Sequence, residues 1–225
     1  IDALYRASQA GVPVDLVGGA SMGAVVAGGY VLHDSSAPLV SLAEKFASPK
    51  NIYDRTLPLV SLMAGAKVLR LIRSIYGERA IEDLRARAWG RVANALRATS
   101  DLAGAEEALT TAARHLKVGS GEPLEEAEHL YFTASLHRAK RRLDEALRAI
   151  HRSRRTYRMV GDQHPEGRSL MCEGAIRDLR GETEESLACC RLARQQVSPE
   201  RDRRLAVAAH HNLVWQLMCT GRPEE

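Results

Sequence analysis

Residues 172–186 read Cys-Glu-Gly-Ala-Ile-Arg-Asp-Leu-Arg-Gly-Glu-Thr-Glu-Glu-Ser. An apolar helical stretch around Cys172 meets a stop at Gly181, and a second helix opens on Thr183-Glu184-Glu185-Ser186. Glycine suits the left-handed residue that ends a helix, and acidic residues suit the positive end of the helix dipole. The arrangement recurs. Ala105-Glu106-Glu107-Ala108, Leu143-Asp144-Glu145-Ala146 and Pro223-Glu224-Glu225 are equivalent to it, and successive starts lie 38, 40 and 40 residues apart. Eleven residues before each start stand Asn94, Phe132, Cys172 and Asn212, each in an apolar helical stretch, and Gly221 repeats the place of Gly181. Each unit therefore reads as a first helix, a tight turn and a second helix, stacked as a quasi-one-dimensional array.

Working outward, proline, glycine and charge fill the joints between units, as in Gly119-Ser120-Gly121-Glu122-Pro123 and Gly161-Asp162-Gln163-His164-Pro165. Trp89 and Trp215 fall in first helices and are expected in the core. The pattern covers roughly 88–225 and resembles the tetratricopeptide class in a form with a period of about 38–40. Aromatic residues make up 4% of the chain, while Ala, Leu and Arg are plentiful, a bias suited to small-residue helix packing. The net charge of +4 belongs wholly to this part, because residues 1–84 hold eight basic and eight acidic residues. Basic clusters such as Arg138-Ala139-Lys140-Arg141-Arg142, Arg152-Ser153-Arg154-Arg155 and Arg201-Asp202-Arg203-Arg204 are interleaved with acids and have few aromatics beside them, so they read as solvated helix faces and no nucleic-acid partner is expected. Cys172, Cys189, Cys190 and Cys219 form no CxxC and read as reduced thiols of a cytosolic protein. His210-His211 with Cys219 lacks zinc spacing, so no metal is expected.

The first 84 residues have a different character. Residues 2–10 read as a helix stopped by Gly11 and Pro13. Val14, Leu16 and Val17 read as a short buried strand, and Ala24 to Leu32 as an apolar helix bearing Gly28 and Gly29. Between strand and helix lies Gly19-Ala20-Ser21-Met22-Gly23, a G-x-S-x-G turn in the strand-to-helix setting of a nucleophile elbow. Such a turn exposes the serine hydroxyl and aims the helix N-terminus at developing negative charge. On pattern alone a glycine-rich turn with a capping serine fits equally well. Residues 38–84 read as mostly helical, with turns at Pro49, Pro58, Gly65 and Gly77.

Gly11-Val12-Pro13-Val14-Asp15-Leu16-Val17-Gly18-Gly19-Ala20-Ser21-Met22-Gly23-Ala24 resembles the nucleophile region of patatin-like phospholipases. Tyr53-Asp54-Arg55-Thr56-Leu57-Pro58-Leu59-Val60-Ser61-Leu62, then Gly77 and Ile81-Glu82-Asp83-Leu84, is similar to the neuropathy-target-esterase branch. The resemblance implies an α/β fragment over 1–84, strand–elbow–helix, followed by an α-α helical repeat solenoid over 88–225. It implies lipid ester hydrolysis by a Ser–Asp dyad, with Ser21 as nucleophile, Gly19 and Gly23 framing the elbow, and no cofactor. Two parts of that family are missing. No glycine-rich oxyanion loop is present, and no Asp-Gly dipeptide occurs for the dyad aspartate, so Asp15, Asp34, Asp54 and Asp83 stay unassigned. His33 is the only histidine in the first 84 residues, which disfavours a histidine triad. The chain begins at Ile1 within a plausible helix, and a truncated, catalytically impaired hydrolase is expected. The implied partners are a lipid ester or membrane surface for the first part and a protein for the array, in the cytoplasm or at the inner face of the membrane. The competing reading is a non-catalytic scaffold.

Overall fold

The computed structural model describes residues 80–222 continuously, together with positions 40, 41, 44, 45, 67, 70, 72–74 and 77. Seven helices follow one another: α1 Ile81–Ala98, α2 Leu102–Val118, α3 Pro123–Ala139, α4 Leu143–Val160, α5 Gln163–Leu179, α6 Thr183–Gln196 and α7 Arg203–Cys219. They pack as consecutive pairs, α1 on α2, α3 on α4 and α5 on α6, with α7 against α6. No helix among the described residues is long and apolar enough to cross a membrane.

The turn inside each unit sets the repeat. Ser100, Arg141, Gly181 and Gly221 all have positive φ, from 59° to 77°. At each, the next amide reaches back to a carbonyl five residues earlier: Asp101 to Leu96, Arg142 to His137, Glu182 to Arg177 and Arg222 to Leu217, all at 2.9 Å. This double-turn closure satisfies carbonyls that a helix end leaves unpaired. Glycine adopts that conformation without strain at 181 and 221, whereas Ser100 and Arg141 carry a Cβ into it. The second helices open close to the acidic segments, α4 at Leu143 and α6 at Thr183. α2 starts three residues before Ala105, because the Asp101 carboxylate caps it by accepting from Gly104 N at 2.9 Å.

Small residues let the pairs approach closely. Ala93 of α1 packs with Ala105, Ala108 and Leu109 of α2, and Phe132 and Leu136 of α3 close that cluster. Ala134 meets Ala146, Ala149 and Ile150 of α4, with Cys172 and Ile176 of α5. Gly90 is the tightest contact, since a Cβ there would stand 2.6 Å from the Phe132 ring. Serine hydroxyls stitch the helices where alanine does not. Ser153 Oγ donates to the Ala127 carbonyl at 2.7 Å, and Ser186 Oγ to the Gly174 carbonyl at 2.9 Å.

The α/β part of the expected fold class is corrected. Every element among the described residues is helical, with no strand or sheet, and the described positions between 40 and 74 are helical as well. A strand persists only when neighbouring strands take up its backbone hydrogen bonds, and the sequence offers a single four-residue candidate with no partner. That candidate, 14–17, lies outside the described residues. The two tryptophans also differ from expectation. Trp89 flanks the stripe Ala86, Gly90 and Ala93 that α1 buries, and Trp215 lies off the buried Leu213 and Leu217 of α7, so both are exposed. α1 runs unbroken through the change of sequence character near residue 85.

The turn residues generate a prediction. Gly181→Ala should destabilise the array by about 1–2 kcal/mol and Arg141→Gly should stabilise it by up to about 1 kcal/mol. Urea unfolding followed by circular dichroism measures both.

Candidate functional site

Ser21, Gly19 and Gly23 lie outside the described residues, as do Asp15, Asp34, Asp54 and His33. Asp83 is described, and its role is structural. It is buried at the start of α1, where its carboxylate accepts from Ala80 N at 2.8 Å and from Ser120 N at 3.0 and 3.2 Å. It thereby caps α1 and ties the α2–α3 joint to it, and Gly119 leaves room for the carboxylate. Beside it Glu82 pairs with His115 of α2.

The densest polar constellation among the described residues is an ionic network buried between first helices. Arg87 of α1 forks onto Glu125 of α3, with Nε to Oε2 at 3.1 Å and Nη2 to Oε1 at 2.8 Å. One turn on, Glu128 accepts from the Tyr157 hydroxyl of α4 at 2.9 Å and from Arg168 of α5. The Arg168 guanidinium also lies 4.2 Å above the Tyr131 ring, a cation–π contact. One glutamate thus joins α3, α4 and α5, with α1 held alongside. Burial pushes the Glu128 carboxyl upward. The charges of Arg168 and Arg87, with hydrogen bonds from Arg168 and Tyr157, outweigh burial and bring its pKa from 4.5 to about 2. Burial and then the Glu128 charge push the Tyr157 phenol well above its ordinary range.

A second cluster extends the first. Glu166 of α5 accepts from Arg158 at 2.8 and 3.0 Å and lies 3.7 Å from Arg154. Glu173 takes Arg154, Arg177 at 2.9 Å and His151 at 3.2 Å. These carboxylates are taken up by guanidinium groups, an imidazole and a phenol, so their chemistry is to fix helix against helix. Sequence reading missed the network. Its signal was there, because Glu125, Glu128 and Phe132 share one face of a helix at the spacing of a core stripe.

The basic clusters are partly neutralised. Lys140 pairs with Glu106, Arg152 with Glu126 at 2.9 Å and Arg201 with Asp162 at 2.6 Å. All four cysteines are free thiols. Burial raises Cys189 to about 12 and Cys190 to about 11, which leaves both as weak nucleophiles. Among the described residues no group of three His, Cys, Asp or Glu is placed to hold a metal ion. A shallow groove along α2 is lined by Ala103, Glu106, Glu107, Thr110, Thr111 and Arg114, all from that one helix, so no second element converges on it.

Comparison with known proteins adds what geometry leaves open. Part of the chain is similar to lysophospholipases of the neuropathy-target-esterase branch of patatin-like proteins. It is 38% identical over 80 residues to lysophospholipase nte1 of Neurospora crassa, covering 33% of this chain and 5% of that protein. It is 34% identical over 97 residues to lysophospholipase NTE1 of Meyerozyma guilliermondii, covering 41% and 7%. Patatin-like phospholipase domain-containing protein 6 of Mus musculus is 33% identical over 89 residues, covering 37% and 7%. The chain thus spans 5 to 7% of the length of these relatives. No protein-family model and no solved structure matches it.

Two outcomes test the network. Glu128→Ala should cost about 3–5 kcal/mol, because it leaves Arg168 without its carboxylate. Glu128 ionises more readily folded than unfolded, so its contribution is complete above pH 4.5 and fades as the pH falls toward 2. Acid unfolding of Glu128→Gln should therefore depend less on pH across that window than unfolding of the unsubstituted chain.

Proposed function

We propose that the chain joins the nucleophile segment of a patatin-like lysophospholipase, over 1–84, to a tetratricopeptide-like array over 88–225. The observation that carries this reading is the similarity to proteins named as lysophospholipases, at 30–38% identity, together with the Gly19-Ala20-Ser21-Met22-Gly23 turn in the same chain. In this reading Ser21 is the nucleophile. Its hydroxyl oxygen attacks the acyl carbonyl of a lipid ester, its proton passes to a carboxylate base, and the alcohol leaves to give an acyl-serine. Such a substrate places the chain at the inner, cytoplasmic face of a membrane.

We propose further that this chain by itself is a poor catalyst. It contains no Asp-Gly dipeptide to supply the family's base. Without a positioned base, about 10²–10⁴-fold of the rate acceleration is lost. The second reading, a scaffold that binds a protein through the stacked pairs, is favoured by one observation: the described helices form a continuous paired array whose polar interior serves packing. In this reading Asp83 supports the array and does no catalysis.

The two readings part in one experiment. The intact chain and Ser21→Ala are compared for turnover of a short-chain nitrophenyl ester and for labelling by a fluorophosphonate probe. The expected result is slow turnover that the substitution leaves unchanged and no labelling at Ser21. Turnover or labelling abolished by Ser21→Ala would establish a complete catalytic site in this chain.

A further inference from the structure

α7 has two faces. Ala209, Leu213 and Leu217 are buried, and the two leucines pack with Leu187 and Cys190 of α6. Roughly 140° around the helix, at 3.6 residues per turn, lie Val207, His211, Val214 and Met218, all exposed. They are separated by four, three and four residues, the spacing of a coiled-coil seam.

The repeat register shows what this face holds elsewhere. In α5 the equivalent positions, forty residues earlier, are Gly167, Met171 and Gly174, and they carry α6. A Cβ at Gly167 would meet Val197 at 2.8 Å, and one at Gly174 would meet Cys189 at 3.3 Å. In α1 and α3 the face has Ala93 against α2 and Ala134 against α4. The face therefore receives an antiparallel helix in the preceding pairs. α7 differs in one respect, because Val207 and Val214 stand where α5 has glycine. Valine forbids the close approach of α5 to α6 and fits a wider seam, with axes about 8–10 Å apart.

Charge supplies an independent indication. Arg203 and Arg204 occupy the first turn of α7, are exposed, and have no acidic residue beside them in that turn. Cations are disfavoured at that end of a helix. The last turn has no basic residue, and Glu224 and Glu225 follow it in sequence. α7 is thus basic at its positive end and acidic beyond its negative end, which complements an antiparallel copy of itself.

We infer that α7 is a self-association surface through which two copies of this chain pair about a two-fold axis. Val207 of one copy faces Met218 of the second, and His211 faces Val214. Arg203 and Arg204 come to lie beside the negative end of the second copy's α7. The seam is isologous, so it closes at two copies. One helix per copy buries less than a stable interface does, so the dissociation constant is on the order of 10–100 µM.

Sedimentation velocity on the full chain, over concentrations bracketing that constant, tests the inference. The expected result is a shift of the mass from one copy to two. Val214→Glu with Met218→Glu should weaken pairing at least about tenfold with helical content unchanged. Arg203→Glu with Arg204→Glu, at exposed positions outside the core, should weaken it several-fold and more so at low salt. A single-copy mass throughout, assembly beyond two copies, or a constant that neither variant alters would overturn it. The first of these outcomes would leave the face to a helix of a different protein.

Discussion

The described array depends on one buried carboxylate. Glu128 receives a phenol from α4 and a guanidinium from α5 while sitting on α3 beside the Arg87–Glu125 fork that holds α1. A charge so placed is costly to desolvate and rewards only an arrangement that brings all its partners together. Alanine and glycine at the contacts permit the close packing, but they would tolerate a sliding of one helix along the next. The ionic network fixes the register. The turns act with it, since the closure at Ser100, Arg141, Gly181 and Gly221 sets each hairpin.

Much of this was legible in the sequence because it is periodic. Gly181 and Gly221 mark their turns, the acidic segments lie at or near the starts of second helices, and Asn94, Phe132, Cys172 and Asn212 all fall inside first helices. Ser100 and Arg141 were not legible as left-handed residues, because neither belongs to the types that signal one. The network was not legible either. Glutamates on a helix are normally solvated, and only the three-dimensional approach of Arg87 and Arg168 makes Glu125 and Glu128 interior residues. The tryptophans misled for the converse reason, since a large apolar side chain beside a stripe of alanine and glycine has no room within it.

The hydrolase segment is a different kind of evidence. Its support is the likeness of part of the chain to lysophospholipases, and that likeness speaks to ancestry and to the chemistry of Ser21. The α/β expectation inferred alongside it gave way to helices among the described residues. Similarity over 80 to 97 residues locates a relationship. A catalytic domain also requires the sheet neighbours, base and oxyanion donors that make a serine reactive. In the described part the reverse holds: the interior chemistry is complete, and every member of the Glu128 cluster has its partner.

Native-state amide hydrogen exchange tests the central claim most directly. If Glu128 binds α1, α3, α4 and α5 into one cooperative unit, the slow amides of those four helices share a single opening free energy and fall together on substitution of Glu128. Protection that differs from helix to helix, with α1 unaffected when Glu128 is replaced, would contradict the account.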